Sequence, residues 1–299
     1  MSLLSVTHQT SYYYTNTVET AHHLAFVHPL QTSYQQVLEY QLLIEPTPRS
    51  PSSQIDAFGN QALHFSLHTS HAQLCVRAHS RVQVAPRSQL LDPSASVSIE
   101  SIVEQLQYAV GKPFLPQSEF CFASPYIALH ESLVAYARPS FPLGATVIEG
   151  TLDLMHRIHA DFLYEANATE ATTTALQAFA LRRGVCQDFA QVMIACLRSI
   201  GLPARYVSGY LLTTPPAGQA RLIGADASHA WVQVFCPVQG WVDFDPTNDL
   251  IVSDSHVTLA IGRDYSDVPV LHGVIRGGGA HQLEVSVSVM PEEETRQGI

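Results

Sequence analysis

The sequence is poor in charged side chains, and basic ones are the scarcer kind. Only 14% of its 299 residues are charged, and 15 Lys and Arg against 26 Asp and Glu give a formal net charge of −11. Nucleic-acid binding depends on clustered Lys and Arg that neutralise phosphates, whereas the basic residues here are scattered along the chain. We therefore expect no nucleic-acid partner, while a protein or peptide substrate remains compatible with this composition.

Two further absences concern membranes and disulfide bonds. The chain lacks the run of about 18 apolar residues that a membrane-spanning helix needs. Its first residues have neither the basic start nor the apolar stretch of a secretory signal. A disulfide framework uses an even and denser set of cysteines, and this chain has five dispersed ones: Cys75, Cys121, Cys186, Cys196 and Cys236. These features predict a cytoplasmic protein with free thiols and no membrane contact.

A change of hydrophobic period divides the chain into two predicted domains. Up to about residue 90, short β-rich runs alternate with turn residues, which is typical of an antiparallel β domain. Helical spacing follows a Pro- and Ser-containing linker, and the chain ends with an alternating run. We predict a β-rich domain over 1–90 and an α+β core with C-terminal strands over 91–299. The predicted strands are 3–14, 37–45, 62–67, 74–84 and 282–290, with a turn at 56–60 and a linker at 86–98. One predicted helix starts at Ser124-Pro125, and two others cover 152–162 and 171–183.

Cys186 opens the segment that carries the clearest chemical signal. Gly201 and Pro203 end a predicted helix that starts at this cysteine and has one apolar face, formed by Phe189, Val192, Met193, Cys196, Leu197 and Ile200. The unpaired N–H groups and the dipole at a helix N-terminus favour an anion. They therefore favour the nucleophilic thiolate and can stabilise an oxyanion. A buried structural cysteine is the competing interpretation.

Two alternating runs downstream place a histidine and a carboxylate on one face of a predicted hairpin. We predict the register that sets His229 directly opposite Asp245 and Gln233 opposite Trp241. Asp243 lies on the same face and is the rival carboxylate. An imidazole held by a carboxylate keeps its orientation and can take a proton from a thiol. The upstream cysteine and these two residues therefore predict a nucleophilic triad.

At this point a resemblance to a known family becomes specific. The matching segments are RGVCQDFA (183–190), GLPARYVSGY (201–210), SHAWV (228–232), GWVDFDPTN (240–248) and GRDYSDV (262–268). They resemble bacterial members of the transglutaminase-like superfamily, and the first 85 residues or so resemble the β-rich N-terminal domain that often precedes that core. The resemblance implies a papain-like core of helices packed on an antiparallel sheet. It also implies that Cys186 is the nucleophile, His229 the base and Asp245 the orienting carboxylate.

The implied chemistry is thiol-dependent acyl transfer on protein or peptide amides through a thioester. No metal or organic cofactor is implied. Resolution of the thioester by water makes the enzyme a cysteine peptidase or amidase, and resolution by an amine makes it a protein-glutamine transglutaminase. Both reactions use the same residues, and the choice depends on how well the site excludes water. The resemblance slightly favours hydrolysis.

Six other residues are weaker candidates for lining the site: Gln187, Asp188, Tyr210, Trp231, Asp264 and Tyr265. Gln187 either polarises the substrate carbonyl or points to solvent, and Asp188 is better explained as an anchor of the helix start. Trp231 either walls the groove or belongs to the core. The other three are candidates from the resemblance alone.

Two alternatives belong to other functional classes. Zinc sites use Cys, His and carboxylate ligands, so the three triad residues form one conceivable set, and His156 with His159 forms a second ligand pair on a helix. The chain has neither a His-Glu-x-x-His nor a Cys-x-x-Cys motif, which disfavours a metal site. The second alternative is a non-catalytic peptide-binding protein on an inactive enzyme fold. The presence of all three triad residues argues against it.

Overall fold

The computed structural model describes residues 1–87, 92–107, 110–111, 113–213 and 228–292, which form two large antiparallel sheets and a group of helices. The strands are β1 (Ser2–Ala25), β2 (Gln35–Glu45), β3 (Ser52–Ile55), β4 (Gln61–Leu67), β5 (His71–Val84), β6 (Leu163–Tyr164), β7 (Arg183–Gly184), β8 (Ala204–Leu211), β9 (Ser228–Cys236), β10 (Gly240–Asp245), β11 (Leu250–Ile251), β12 (His256–Gly262), β13 (Leu271–Gly277) and β14 (His281–Pro291). The helices are α1 (Ile99–Leu106), α2 (Glu131–Ala137), α3 (Val147–Asp161), α4 (Ala175–Leu181) and α5 (Cys186–Ser199).

Strand β1 is the centre of the N-terminal sheet, whose path is β2-β5-β1-β4-β3. The sequence predicts an end at Tyr14, but the strand continues to Ala25. Residues 15–17 are polar and resemble a turn, yet they only interrupt the register with β5 without ending the strand. The prediction of an antiparallel β region at the N-terminus, within an α+β fold, is confirmed.

The C-terminal strands β13 and β14 lie in the N-terminal sheet. Both pair with β1, β14 along its first half and β13 along its second half. The sequence grouped these strands with the 91–299 core, because alternation identifies a strand but not the sheet that it joins. Val287 and Val289 of β14 also belong to the same buried cluster as residues of α5. The boundary at residue 90 stays a prediction.

Helix α5 is the centre of the core. The core sheet has the order β11-β10-β9-β8-β12, and α5 packs on β8 and β9 while α2, α3 and α4 surround it. Residues 188–198 are all buried, so the helix is buried on every side instead of on the one face that its apolar spacing predicts. Its buried polar side chains bond to neighbouring segments, although Oδ1 of Asp188 and Oε1 of Gln191 have no partner among the described residues. Arg198, for example, donates to the carbonyl oxygens of Ala204, Phe122 and Arg263.

Local capping explains where the predicted helices begin. Thr146 and Thr174 form capping boxes, so α3 and α4 start directly after them, and α4 is shorter than the predicted 171–183. The prediction of a helix start at Ser124-Pro125 is wrong, because Ser124 and Ile127 exchange backbone hydrogen bonds across a tight turn. Residues 88–91 of the predicted linker lie outside the described residues. No helix in the described part of the chain is long and apolar enough to cross a membrane.

Two buried amide side chains join the N-terminal sheet to β12. Gln35 accepts from the Thr258 N–H at 2.8 Å and donates to the Thr258 carbonyl at 2.7 Å. Asn60 makes the same pair of bonds with Ile261, at 2.8 and 2.7 Å. Asn60 is held in place by Asp56, within the turn that the sequence predicts. The N-terminal sheet therefore fixes the strand that begins with His256.

Candidate active site

Cys186 is the first residue of α5, and the helix start is built around Asp188. The Oδ2 atom of Asp188 accepts from the backbone N–H of Val185 at 2.8 Å and from the hydroxyl of Thr169 at 2.6 Å. A Cβ atom at Gly184 would lie 2.4 Å from this oxygen, so only glycine fits there. Burial raises the pKa of Asp188, although both hydrogen bonds oppose the shift. Asp188 therefore anchors the helix start, and Cys186 lies in the first turn, where backbone N–H groups have no intrahelical acceptor.

His229 and Asp245 are hydrogen-bonded. The Nε2 atom of His229 lies 2.7 Å from Oδ2 of Asp245, and both side chains are buried. The predicted register is wrong by two residues: Asp243 faces Gln233 and Trp241 faces Phe235, so Asp245 is diagonal to His229. A shift by two keeps every side chain on its face. The predicted contact therefore survives the error in the pairing.

The sequence analysis missed two further donors to Asp245. His256 Nε2 lies 3.2 Å from Oδ2, and the Asn248 side-chain amide donates to the same oxygen at 2.7 Å. The backbone N–H groups of Thr247 and Asn248 donate to Oδ1 at 3.0 and 3.2 Å. The only available signals were an Asn three residues after the aspartate and a His beginning an apolar strand, and neither is specific. Five donors thus fix the carboxylate.

These contacts set the protonation states of the pair. Burial opposes the charged imidazolium, but hydrogen bonds to Asp245 and Cys186 outweigh it and raise the pKa of His229 to about 10. Burial also opposes the Asp245 carboxylate, yet the bonds from His229 and His256 hold the pKa of Asp245 well below its usual range. Burial lowers the pKa of His256, so this second imidazole is neutral at pH 7. The site thus favours an imidazolium at His229 that is paired with an anionic carboxylate at Asp245.

The thiol of Cys186 is next to the imidazole. Because Nε2 of His229 is bound to Asp245, Nδ1 is the nitrogen left for the thiol, and the nearby Cys186 helps to raise the pKa of the ring. The sulfur also lies 3.9 Å from the carbonyl oxygen of Ser228, and it is half-buried. Two tyrosines missed by the sequence analysis are close. Burial and then the nearby Cys186 raise the pKa values of Tyr206 and Tyr164.

Asp243, the rival carboxylate, belongs to a different network. Its Oδ1 atom accepts from the Trp231 indole at 2.7 Å and from the Gln233 amide at 2.9 Å, and it forms an ion pair with Arg87 at 3.1 Å. Trp231 is fully buried and packs on β8 at Gly209, where a Cβ atom would lie 2.4 Å from the indole ring. Trp231 is therefore a core residue whose ring lies beside His229.

The remaining candidates have structural contacts. Gln187 donates its amide to the Ala171 carbonyl at 2.9 Å, which directs it away from a substrate carbonyl. Tyr210 is buried and its hydroxyl lies 2.7 Å from His8 of β1, so it links the two sheets. Asp264 is buried and accepts from the backbone N–H of Tyr126. Tyr265 packs edge-on against Tyr206, which places it one ring away from the site.

Two histidines of α3 contact the turn that follows Asp245. His156 pairs with Asp249, and the Nδ1 atom of His159 lies 3.0 Å from the carbonyl oxygen of Thr247. Both contacts hold the turn that follows Asp245. We therefore assign these histidines to positioning of that turn rather than to a metal pair.

A group with metal-ligand chemistry does occur in the site. One side-chain atom each of His229, Asp245 and His256 lies within 4.8 Å of the others. The protein's own donors already occupy both oxygens of this carboxylate, which fits a hydrogen-bonded triad better than a cation site. The absence of a metal stays a prediction.

Comparisons with known proteins agree with this architecture. The model of the transglutaminase-like superfamily matches residues 143–246, and the model of the bacterial transglutaminase-like N-terminal region matches residues 4–83. A protein of Mycobacterium tuberculosis is 36% identical over 295 residues, which span 96% of this chain and 92% of the relative. The chain belongs to the transglutaminase-like superfamily. All three residues of the proposed triad lie within the matched superfamily core.

Two other comparisons give context. A protein-glutamine gamma-glutamyltransferase of Pseudomonas aeruginosa is 43% identical over 70 residues, which cover 23% of this chain and 10% of that enzyme. The crystal structure of a candidate cysteine protease from Cytophaga hutchinsonii has a TM-score of 0.74, with 97% of this chain and 90% of that chain covered at 20% identity. At this identity the likeness shows a shared transglutaminase-like fold.

Proposed function

We propose that this protein is a cysteine-dependent acyl-transfer enzyme that acts on protein or peptide amides, with water as the main acceptor. The observation that carries the proposal is the position of His229. Asp245 holds Nε2 of its ring, which leaves Nδ1 for the nearby thiol of Cys186 at the start of a buried helix. This arrangement fits a nucleophile, a base and an orienting carboxylate.

The proposed mechanism has two stages. The Cys186 thiolate attacks the amide carbonyl, and N–H groups of the first helical turn stabilise the oxyanion. The C–N bond breaks as His229 gives its proton to the leaving amine, which leaves a thioester on Cys186. The neutral imidazole then takes a proton from water, whose oxygen attacks the thioester. The carboxylic acid leaves and the thiolate–imidazolium pair is restored.

An amine in place of water would make the protein a transglutaminase. The similarity to the Pseudomonas aeruginosa glutamyltransferase supports this second candidate, but it extends over only 23% of the chain. Both reactions share the first stage and the same thioester. The nature of the second nucleophile therefore separates them.

Product analysis by mass spectrometry tests the proposed function. The protein is incubated with a mixture of glutamine-containing peptides and with the same mixture plus a primary amine such as cadaverine. We expect shortened or deamidated peptides to exceed amine adducts, and both to be absent with the Cys186→Ala variant. A predominance of adducts would favour the transglutaminase, and no turnover above the variant in either mixture would refute acyl transfer.

Replacement of His256 tests whether the second imidazole positions the triad. His256→Ala removes a buried donor to Asp245, and we expect kcat to fall about tenfold with little change in KM, since one hydrogen bond to a charged group contributes about 1.5–3 kcal/mol. His256→Gln restores an N–H donor and should recover part of the rate. The exposed His22→Gln is the control. Equal rates for His256→Ala and the control would contradict the role.

A further inference from the structure

A cavity of about 810 Å³ lies between the N-terminal region and the core sheet. It is on the face of the core sheet opposite α5, because Gln233 and Asp243 alternate along their strands with the buried residues that pack on that helix. Its wall includes the polar or aromatic residues Tyr34, Arg87, Arg205, Gln233, Trp241 and Asp243, and the apolar residues Pro86, Val238, Val242, Ile251, Val252 and Ile261. Its volume is in the range of small-molecule sites.

Arg87 is a buried cation whose hydrogen-bond donors are not all paired. Its side chain is only 10% exposed, and its guanidinium stacks on the Tyr34 ring at 4.0 Å. Nη2 donates to the carbonyl oxygen of His256 at 3.2 Å. Nη1 is 3.1 Å from Asp243 without hydrogen-bond alignment, and Nε has no hydrogen-bond partner among the residues that the structure describes. Buried guanidinium N–H groups are normally satisfied, so Arg87 is an incompletely paired cation in the wall of the cavity.

Arg205 is the second cation, and it lies over the Trp241 ring at 3.9 Å. Its Nε donates to the Gln233 side-chain oxygen at 2.7 Å. Burial lowers the pKa of Arg205 to about 10, although the nearby Asp243 opposes the shift, so the group remains cationic at neutral pH. The two guanidinium groups thus reach the cavity from the N-terminal region and from the core sheet.

The charge balance of the cavity is the reverse of that of the chain. Among its described lining residues, Arg87 and Arg205 carry positive charge and Asp243 carries negative charge. The cavity therefore has a net positive charge in a protein whose formal net charge is −11. A complementary ligand therefore offers an anionic acceptor.

We propose that this cavity is a binding site for a small organic carboxylate with an apolar body. The planar guanidinium fork matches a carboxylate in geometry and charge, and the aromatic and aliphatic walls match an apolar body. The site is separate from the thiol, but Arg87 contacts the backbone of His256 and Asp243 is two residues from Asp245. A bound ligand would thus contact residues that neighbour the triad.

Ligand-observed NMR titration with benzoate tests the site, with benzamide as its neutral counterpart and inorganic phosphate as a second anion. The titrations use the folded Cys186→Ala protein, so the result does not depend on whether the proposed acyl transfer occurs. We expect saturable benzoate binding, with a Kd at least about tenfold lower than for benzamide. Arg205→Gln and Arg87→Gln should each weaken it about tenfold or more, because they remove a charge-assisted bond. The exposed Arg276→Gln should not.

Several results would overturn the proposal. Benzoate that fails to bind, or that binds no more tightly than benzamide, would show that the cavity does not select a carboxylate. Unchanged benzoate binding in Arg205→Gln would place the ligand elsewhere. Because Arg205 is half-buried, circular dichroism is used to check that this variant is folded. If phosphate bound more tightly than benzoate, the ligand of the cavity would be an inorganic anion and not an organic carboxylate.

Discussion

Alanine at position 186 is expected to reduce kcat/KM by at least about 10⁴-fold, because the change removes the sulfur that would form the proposed thioester. The sulfur is half-buried in the first turn of α5, while Asp188 and Thr169 hold that turn without it. The free energy of unfolding should therefore change by less than about 1 kcal/mol. Steady-state kinetics on a peptide substrate and thermal unfolding measure the two effects.

Cys196→Ala is the matched control, since it removes a second sulfur from the same helix. Cys196 is fully buried, and burial raises the pKa of its thiol to about 12, so it is not a nucleophile at neutral pH. This variant should lose stability through a small cavity and keep its catalytic rate. Retained activity in Cys186→Ala, or an equal loss in Cys196→Ala, would remove the basis for assigning the nucleophile.

Asparagine in place of Asp245 is expected to lower kcat about 10³- to 10⁴-fold through the wrong imidazole tautomer. The backbone N–H groups of Thr247 and Asn248 require an oxygen at the Oδ1 position. The new NH₂ group would therefore face His229 Nε2, which must then accept a hydrogen bond. The ring proton moves to Nδ1, the nitrogen beside the thiol, and the imidazole cannot take a proton from Cys186. The measurement is kcat with KM determined separately.

Asp243→Asn provides the control for this argument. Its carboxylate binds Trp231, Gln233 and Arg87, so the change should reduce stability by about 1–3 kcal/mol, as expected when a buried charge network loses a partner. The catalytic rate of the folded variant should change far less than in Asp245→Asn. If the order of the two kcat values were reversed, the orienting carboxylate would be Asp243.

The sequence predicted the local parts of the candidate site better than their connections. A cysteine before an apolar helix, ended by Gly201, predicts the start of α5 from information within one segment. Alternation likewise predicts which face of β9 and β10 carries His229 and Asp245. It could not set the register, because shifts by two residues leave the facing pattern unchanged.

Contacts across distant segments were beyond sequence reasoning. His256 begins an entirely buried strand and resembles any other core residue until β12 is placed at β8. Tyr210 was expected near the site, but its hydroxyl instead reaches His8 across 202 positions of the chain. The destination of β14 also depends on long-range pairing, which alternation of Val285 and Val287 does not encode.

The two amides on β12 have a further consequence for the integrity of the core. As the terminal strand of its sheet, β12 would present free backbone groups, which are a template for pairing with another chain and for aggregation. Gln35 and Asn60 occupy the N–H and carbonyl groups of Thr258 and Ile261 without adding another strand. The N-terminal region thus blocks this edge, and a core produced without it would be expected to self-associate before its candidate catalytic groups could be tested.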